Sequence, residues 1–219
     1  MLPKPSDPPS CSLYLVTPPL SSRNANAFAE IFAKVLCAVP AASALVRLAP
    51  EAKGDAKAII SPPLRVAVVN DCAVLIENDA QLAARLGLDG VHIEGAGKEL
   101  REAIESQHPD RIVGAGALRT RDEAMTAGEA GVDYVMFGES WGPAGAIPLE
   151  WLIERVDWWA EIFETPCVAF AASMEAAGQL ARAGADFVAL NEAIWSASSP
   201  VNAASEARCL LTEAAIEIP

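Results

Sequence analysis

The sequence predicts a single domain of the α/β class, a (β/α)8 (TIM) barrel. Its 219 residues match the length of one such barrel, commonly about 200–250 residues. Short apolar runs alternate with helical stretches, and the runs are continuously apolar, as in parallel strands buried on both faces. Eight such alternations favour a closed barrel over an open sheet. The predicted strands are residues 13–18, 43–49, 73–78, 90–94, 111–117, 134–139, 167–172 and 187–191.

Helical periodicity and capping signals place helices between these strands. Thr120 and Glu123 have the spacing of a capping box, in which each side chain accepts a backbone N–H of the other residue. The segment 51–69 is less regular, and Pro62 and Pro63 predict that it is split into two short pieces, because proline disrupts a helix interior. The other predicted helices are residues 26–39, 79–86, 120–130, 149–163, 174–183 and 202–214.

A nine-residue pattern occurs three times, at residues 83–91, 127–135 and 180–188. Each copy contains a helix end, a glycine suited to the left-handed position after a helix, an aspartate and the start of a strand. The aspartates are expected at the amino-terminal end of the barrel, where residues serve stability rather than catalysis. The glycine–aspartate pairs are Gly87 with Asp89, Gly131 with Asp133, and Gly184 with Asp186.

The composition indicates which binding partners are unfavourable and which cellular compartment is favoured. A net charge of −13 argues against nucleic acid or an anionic membrane as partner, because both require clustered Lys and Arg. The five cysteines form no Cys-x-x-Cys pair, which favours a reduced, cytoplasmic setting. Residues 1–12 are expected to form a flexible Pro-rich arm without an apolar signal core, ahead of the barrel domain at 13–219. An assembly of identical subunits is left open.

The carboxyl ends of the predicted strands define a candidate site, which we call the mouth. Arg47 is the obvious cation among these ends. His92 is a candidate acid or base, although a histidine in an apolar strand is more often a packed core group. The remaining ligand-binding candidates at the mouth are Thr17, Gly116, Gly138, Asn191 and Glu192.

Carboxylates at the mouth suggest a hard metal, and tryptophans suggest a stacking surface. Mg²⁺ prefers carboxylate and amide oxygens, and the candidate ligands are Glu77, Asn78 and Glu94; salt-bridged or solvated rim residues are the alternative. Trp141 and Trp195 follow the sixth and eighth strands and are candidates for stacking on an aromatic ligand. Three further tryptophans have helical spacing and are expected to pack, namely Trp151, Trp158 and Trp159.

These motifs, in this order, resemble the thiamine phosphate synthase/TenI family over nearly the whole chain. The pieces that carry the resemblance are Leu-Tyr-Leu-Val-Thr at 13–17, Asp-Gly-Val-His at 89–92, Arg-Ile-Val-Gly at 111–114, Gly-Val-Asp-Tyr-Val-Met-Phe-Gly at 131–138 and the approach to the last strand at 183–189. The resemblance implies an enzyme that joins hydroxymethylpyrimidine pyrophosphate to a thiazole phosphate with the help of Mg²⁺. The candidates for catalytic roles in such a reaction are Arg47, as a substitute cation for the pyrophosphate, and His92, as an acid or base.

The matching positions depart from the family pattern at five places that contact metal or phosphate. Gln-Leu-Arg-Glu-Lys is replaced by residues 47–51, Gly-Gln-x-Asp by 94–97, Thr-x-Thr-Lys by 141–145, and a Gly-Gly turn by 171–172. The Asn-Asp pair corresponds to Glu77-Asn78, or to Asn78-Asp79 with a shift of one residue. The sequence therefore predicts a divergent site.

Three hypotheses follow. In the first, the barrel binds a neutral or weakly charged heteroaromatic ligand at the mouth. In the second, it is a synthase in which Arg47 serves the pyrophosphate, and Glu77 with Glu94 hold Mg²⁺. In the third, it is a non-catalytic regulatory or partner-binding barrel, since this fold changes function readily.

Overall fold

The computed structural model describes residues 11–139 and 147–216. Within these residues, eight parallel strands close into one barrel in chain order, which confirms the predicted fold. The first strand also pairs with the last, as Leu13 lies opposite Val188. The strands are β1 (Ser12–Val16), β2 (Ser43–Val46), β3 (Ala73–Glu77), β4 (Gly90–Glu94), β5 (Ile112–Gly116), β6 (Tyr134–Phe137), β7 (Cys167–Ala171) and β8 (Phe187–Leu190).

Helices follow the strands and cover the outside of the barrel. A 3₁₀ turn at Pro50–Asp55 precedes the second helix. The predicted capping box begins the fifth helix, where Thr120 Oγ1 accepts the N–H of Glu123 at 3.1 Å and Glu123 Oε2 accepts that of Thr120 at 3.1 Å. The helices are α1 (Ala25–Ala38), α2 (Ala56–Val69), α3 (Ala80–Leu86), α4 (Lys98–Gln107), α5 (Arg121–Glu129), α6 (Leu149–Ile162), α7 (Met174–Arg182), α8 (Glu192–Trp195) and α9 (Pro200–Ile216).

The predicted break at Pro62 and Pro63 is wrong, because α2 continues through both prolines. Pro63 is buried in the same helix as Ile59 and Ala67, so the packed face is kept. Immediately before the two prolines, the hydroxyl of Ser61 donates to the carbonyl of Lys57, one turn earlier in the helix, at 2.5 Å. Tertiary packing against α1 therefore overrides the local cost of proline.

Two smaller differences concern element boundaries. Cys11 is 4% exposed and Ser12 begins β1, so the barrel starts before residue 13; residues 1–10 of the predicted arm lie outside the described residues. The helix α4 was not among those predicted. No helix in the described parts of the chain combines the length and apolarity needed to span a membrane.

The threefold sequence pattern has a common structure at the amino-terminal end of the barrel. Gly87, Gly131 and Gly184 all have positive φ, at 66°, 90° and 94°, as predicted. Each aspartate exchanges two hydrogen bonds with a residue of the preceding strand. In the first copy, the carboxylate of Asp89 accepts the N–H of Val74 at 2.7 Å, and the N–H of Asp89 donates to the carbonyl of Val74 at 3.0 Å.

The same reciprocal pair occurs in the other two copies. The N–H groups of Val113 and Cys167 donate to Asp133 at 2.7 Å and to Asp186 at 2.8 Å, respectively. The N–H groups of the two aspartates donate back at 2.9 and 3.1 Å. These aspartates thus join neighbouring strands, which agrees with the structural role expected for them.

Candidate active site at the mouth of the barrel

Arg47 and Glu77 form an ion pair across the ends of β2 and β3. The Nε atom of Arg47 lies 3.3 Å from Oε1 and 3.4 Å from Oε2 of Glu77. Both side chains are mostly buried, at 16% and 17% exposure. The cation predicted for the mouth therefore faces a carboxylate of this chain.

Thr17 is fully buried and joins the end of β1 to the end of β2. Its hydroxyl oxygen accepts the backbone N–H of Arg47 at 3.0 Å. With 0% exposure it offers no surface to a ligand in this conformation. Its position supports Arg47 rather than a direct ligand contact.

The three predicted metal ligands lie close together but are engaged with the protein. Asn78 has a positive φ of 53°, and its Oδ1 accepts the N–H of Glu94 at 2.9 Å. Glu77 is paired with Arg47, whereas Glu94 is exposed. Within residues 11–139 and 147–216, no three His, Cys, Asp or Glu side chains are grouped so that they could hold a metal ion. Glu77 would have to leave Arg47 before it could bind Mg²⁺, and the assignment of these three residues to a metal stays a prediction.

His92 belongs to a hydrogen-bonded chain inside the barrel. Its Nδ1 lies 2.9 Å from the hydroxyl of Tyr134, which lies 2.9 Å from that of Tyr14. Burial raises the pKa of both phenols, so both stay protonated at neutral pH. His92 itself is 1% exposed, so it cannot contact a ligand in this conformation. This geometry agrees with the packed alternative, and a catalytic role for His92 stays a prediction.

Glu139 connects the hydrogen-bonded side chains of His92, Tyr134 and Tyr14 to the loop after β5. Its Oε1 lies 3.6 Å from Nε2 of His92 and accepts the N–H of Ala117 at 2.9 Å. Gly116 makes room for both groups, because a Cβ there would lie 2.0 Å from Oε1 of Glu139 and 2.3 Å from Nε2 of His92. Gly116 thus permits close packing at the mouth.

Gly138 is also required by packing. It has a φ of 92°, and a Cβ there would lie 2.7 Å from Leu152 of α6. Close packing therefore accounts for the glycines at positions 116 and 138, which were predicted to contact a ligand.

The tryptophans differ from the predicted stacking pair. The indole N–H of Trp195 donates to the carbonyl of Val16 at 2.7 Å, and its ring packs edge-on against Phe28 at a centroid distance of 4.9 Å. Trp195 therefore joins α1 to β1 instead of stacking on a ligand. Trp141 lies outside the described residues. Trp159 is buried as predicted, whereas Trp151 is 70% exposed and does not pack as expected.

A cavity of about 240 Å³ lies between the ends of β2, β7 and β8. Asn191 is 8% exposed there, and its Oδ1 is buried without a hydrogen-bond partner in the described part of the chain. Phe170 lines the same cavity and was missed by sequence reasoning, although strand alternation places it on the same face as Ala172. The complete lining is Arg47, Phe170, Ala171, Ala172, Asn191, Glu192 and Ala193.

The closed parallel barrel with a polar cavity at its mouth places the chain among (β/α)8 barrels with a candidate small-molecule site. A family model described as thiamine monophosphate synthase matches residues 13–194. The chain belongs to this thiamine phosphate synthase/TenI family of thiamine biosynthesis, which confirms the resemblance found in the sequence.

Relatives of known name agree with the assignment. A thiamine-phosphate synthase of Rhodospirillum centenum is 38% identical over 191 residues, which cover 84% of this chain and 89% of the relative. A thiamine-phosphate synthase of Hyphomonas neptunium is 34% identical and covers 85% of this chain and 87% of the relative. The solved thiamine phosphate pyrophosphorylase of Pyrococcus furiosus shares the fold, with a TM-score of 0.77 and 22% identity, covering 94% of this chain and 97% of the other.

Proposed function

We propose that this protein binds an uncharged or weakly charged heteroaromatic ring of the pyrimidine or thiazole type at the mouth, and that it lacks ordinary synthase turnover. The ligand class follows from the family, whose named relatives are thiamine-phosphate synthases. The observation that carries the divergence is the pairing of Arg47 with Glu77. A cation that already faces a carboxylate is a weaker partner for a pyrophosphate leaving group than one facing an open site.

The rest of the mouth supports this proposal. Glu94 and Glu192 are exposed at the strand ends and would repel phosphates. Ala171 and Ala172 stand where the family pattern has the Gly-Gly turn that contacts phosphate. These features favour a ring without phosphates.

A synthase with substitute groups is the second candidate, and the 38% identity to a named synthase favours it. In that case Arg47 serves the pyrophosphate, and the acidic mouth takes Mg²⁺ only after Glu77 has left Arg47. The non-catalytic partner-binding barrel is the remaining alternative.

We further propose a cytoplasmic setting. All five cysteines are free thiols. Burial raises the pKa values of Cys11, Cys72 and Cys167 to about 12, which leaves these thiols protonated and inert.

The decisive experiment is a turnover assay with hydroxymethylpyrimidine pyrophosphate, thiazole phosphate and Mg²⁺, run beside a family member that keeps all motifs. We expect turnover to be lower by at least about 100-fold, because loss of even one preorganised charge-stabilising group has an effect of that size. Turnover within about tenfold of the control would overturn the divergence and favour the substitute-group synthase.

Binding is measured in parallel by calorimetry and thermal shift, since a ligand that binds the native state raises its stability. We expect the unphosphorylated thiazole or pyrimidine to bind and raise the melting temperature. Glu77→Gln should tighten binding of thiazole phosphate by roughly fivefold, because one negative charge near Arg47 is removed. The matched control is Glu102→Gln, which removes the acid of the exposed Lys98–Glu102 pair. If no ring binds, the partner-binding alternative gains support.

A further inference from the structure

We propose that His92 is a positioning residue for the turn after β5. Its neutral imidazole carries its proton on Nε2 and directs this N–H at the carboxylate of Glu139, which in turn holds the backbone of Ala117. The inference goes beyond the proposed function, because it assigns a role to a buried side chain of the barrel interior, and it is independent of which ligand binds at the mouth.

The first argument is that the fold places Tyr134 against His92. His92 on β4 lies opposite Gly114 on β5, and Gly114 lies opposite Tyr134 on β6. A Cβ at position 114 would overlap the phenol ring of Tyr134, so the glycine lets this ring cross β5 and stack on the imidazole, with 5.7 Å between the ring centroids. The phenol oxygen then lies 2.9 Å from Nδ1 of His92. One nitrogen of the imidazole is therefore engaged inside the barrel.

The second argument is a count of protons. Burial raises the pKa of both Tyr14 and Tyr134, so each phenol keeps one O–H to donate. If the hydrogen bonds run from Tyr14 through Tyr134 to Nδ1 of His92, both phenol protons have acceptors and the imidazole proton is left on Nε2. If they run the other way, the hydroxyl proton of Tyr14 has no acceptor in the described residues. A buried donor without a partner is costly, which favours the first direction.

The third argument is the carboxylate beside the other nitrogen. Nε2 of His92 is buried without a hydrogen-bond partner in the part of the chain that the structure describes, and it lies 3.6 Å from Oε1 of Glu139. The two side chains are 1% and 6% exposed. An N–H at Nε2 is attracted to this carboxylate, whereas a bare nitrogen would direct its lone pair at a negative charge that water screens poorly. Glu139 thus favours the same tautomer as the two tyrosines.

The fourth argument is the backbone that Glu139 holds. Its Oε1 accepts the N–H of Ala117 at 2.9 Å, and Ala117 has a φ of 53°, which is uncommon for a residue other than glycine. Such a conformation persists only where the surrounding structure maintains it. Gly116 leaves the space in which the imidazole and the carboxylate approach each other. The N–H of His92 therefore positions Glu139, and Glu139 positions the turn.

The tautomer is measured by nitrogen-15 NMR of the full chain, in mildly alkaline buffer where an ordinary histidine is neutral. The chain has two histidines, so the spectrum of His108→Leu assigns the signals of His92. We expect a protonated Nε2 and an unprotonated Nδ1. A proton on Nδ1, whether alone or together with one on Nε2, overturns the inference.

The positioning role is measured by hydrogen exchange of the Ala117 amide. In His92→Leu we expect this exchange to be faster by roughly tenfold, as for one weakened hydrogen bond to a charged group. In His92→Gln we expect wild-type exchange, because the side-chain amide can donate to Glu139 in place of Nε2. The matched control His108→Leu makes the same change at the other histidine and should leave Ala117 unchanged.

A reference amide separates positioning from a general loss of stability. The N–H of Val113 donates to Asp133 at the amino-terminal end of the barrel, so its exchange reports wider opening of the structure. Faster exchange at Ala117 alone supports the inference. Equal acceleration at both amides in His92→Leu, unchanged exchange at Ala117, or no recovery in His92→Gln overturns it. If His92→Leu does not fold, the tautomer of the wild-type protein and the exchange of His92→Gln still decide.

Discussion

The two ends of the barrel differ in how regular their hydrogen bonds and backbone conformations are. At the amino-terminal end, three aspartates form the same reciprocal pair of hydrogen bonds with the preceding strand, and three glycines end the preceding helices with positive φ. At the mouth nothing repeats. Of the three non-glycine residues with positive φ in the described residues, Asn78 and Ala117 (both 53°) follow strands at the mouth, and Asp71 (52°) precedes β3 at the other end. Three buried side-chain atoms lack hydrogen-bond partners within the described residues: Nε2 of His92 and Oδ1 of Asn191 lie at the mouth, and Oε1 of Gln107 lies at the last residue of α4.

This difference suggests that the amino-terminal end serves stability and that the mouth serves binding. At the amino-terminal end the three aspartates and their strand partners satisfy each other locally, so these pairs contribute stability without needing a ligand. In the described residues the mouth has two of the three non-glycine residues with positive φ and two of the three unpaired buried side-chain atoms, and such features cluster at binding sites. Substitutions at the amino-terminal end should therefore change unfolding without changing binding.

The largest effect is expected for Gly116→Ala at the mouth. The added Cβ would lie 2.0 Å from Oε1 of Glu139 and 2.3 Å from Nε2 of His92. We expect the free energy of unfolding to fall by about 3 kcal/mol, the upper range for overpacking. Urea denaturation measures this loss, with Gly54→Ala as control, since no atom lies within 4 Å of a Cβ at Gly54. A loss below about 1 kcal/mol would mean that Glu139 and His92 rearrange freely.

A smaller effect is expected for Asp89→Ala at the opposite end. It removes the acceptor of the Val74 N–H, and a hydrogen bond to a charged group contributes about 2 kcal/mol. Chemical denaturation should show this loss while ring binding stays unchanged. Asp157→Ala, on an exposed position of α6, is the matched control. A change in ring affinity would show that the two ends are coupled and would break the comparison.

The smallest effect is expected for Gly87→Ala. Nothing lies within 4 Å of a Cβ there, so the cost comes from the backbone alone, and we expect about 1 kcal/mol. Gly184→Ala should cost more, because its Cβ would lie 2.8 Å from that of Ala160. Equal losses for the two variants, measured by thermal unfolding, would show that α6 yields to the added methyl group.

The sequence by itself determined the number and order of the strands, the capping box at Thr120 and the three glycine–aspartate copies. These features depend on residues that are neighbours in the chain, or on an alternation of apolar runs that is read directly. The course of α2 through Pro62 and Pro63 could not be predicted in this way, because packing against α1 decides it.

Only the tertiary structure decided which residues at the mouth face the cavity. Successive strand residues point to opposite faces, so the sequence alone does not show which residue at a strand end faces the cavity. The pairing of Arg47 with Glu77 joins residues 30 positions apart, and the bond from Trp195 to Val16 joins residues 179 apart. Barrel closure brings these groups together, and it leaves the side chain of Asn191 buried beside a cavity with its oxygen unpaired.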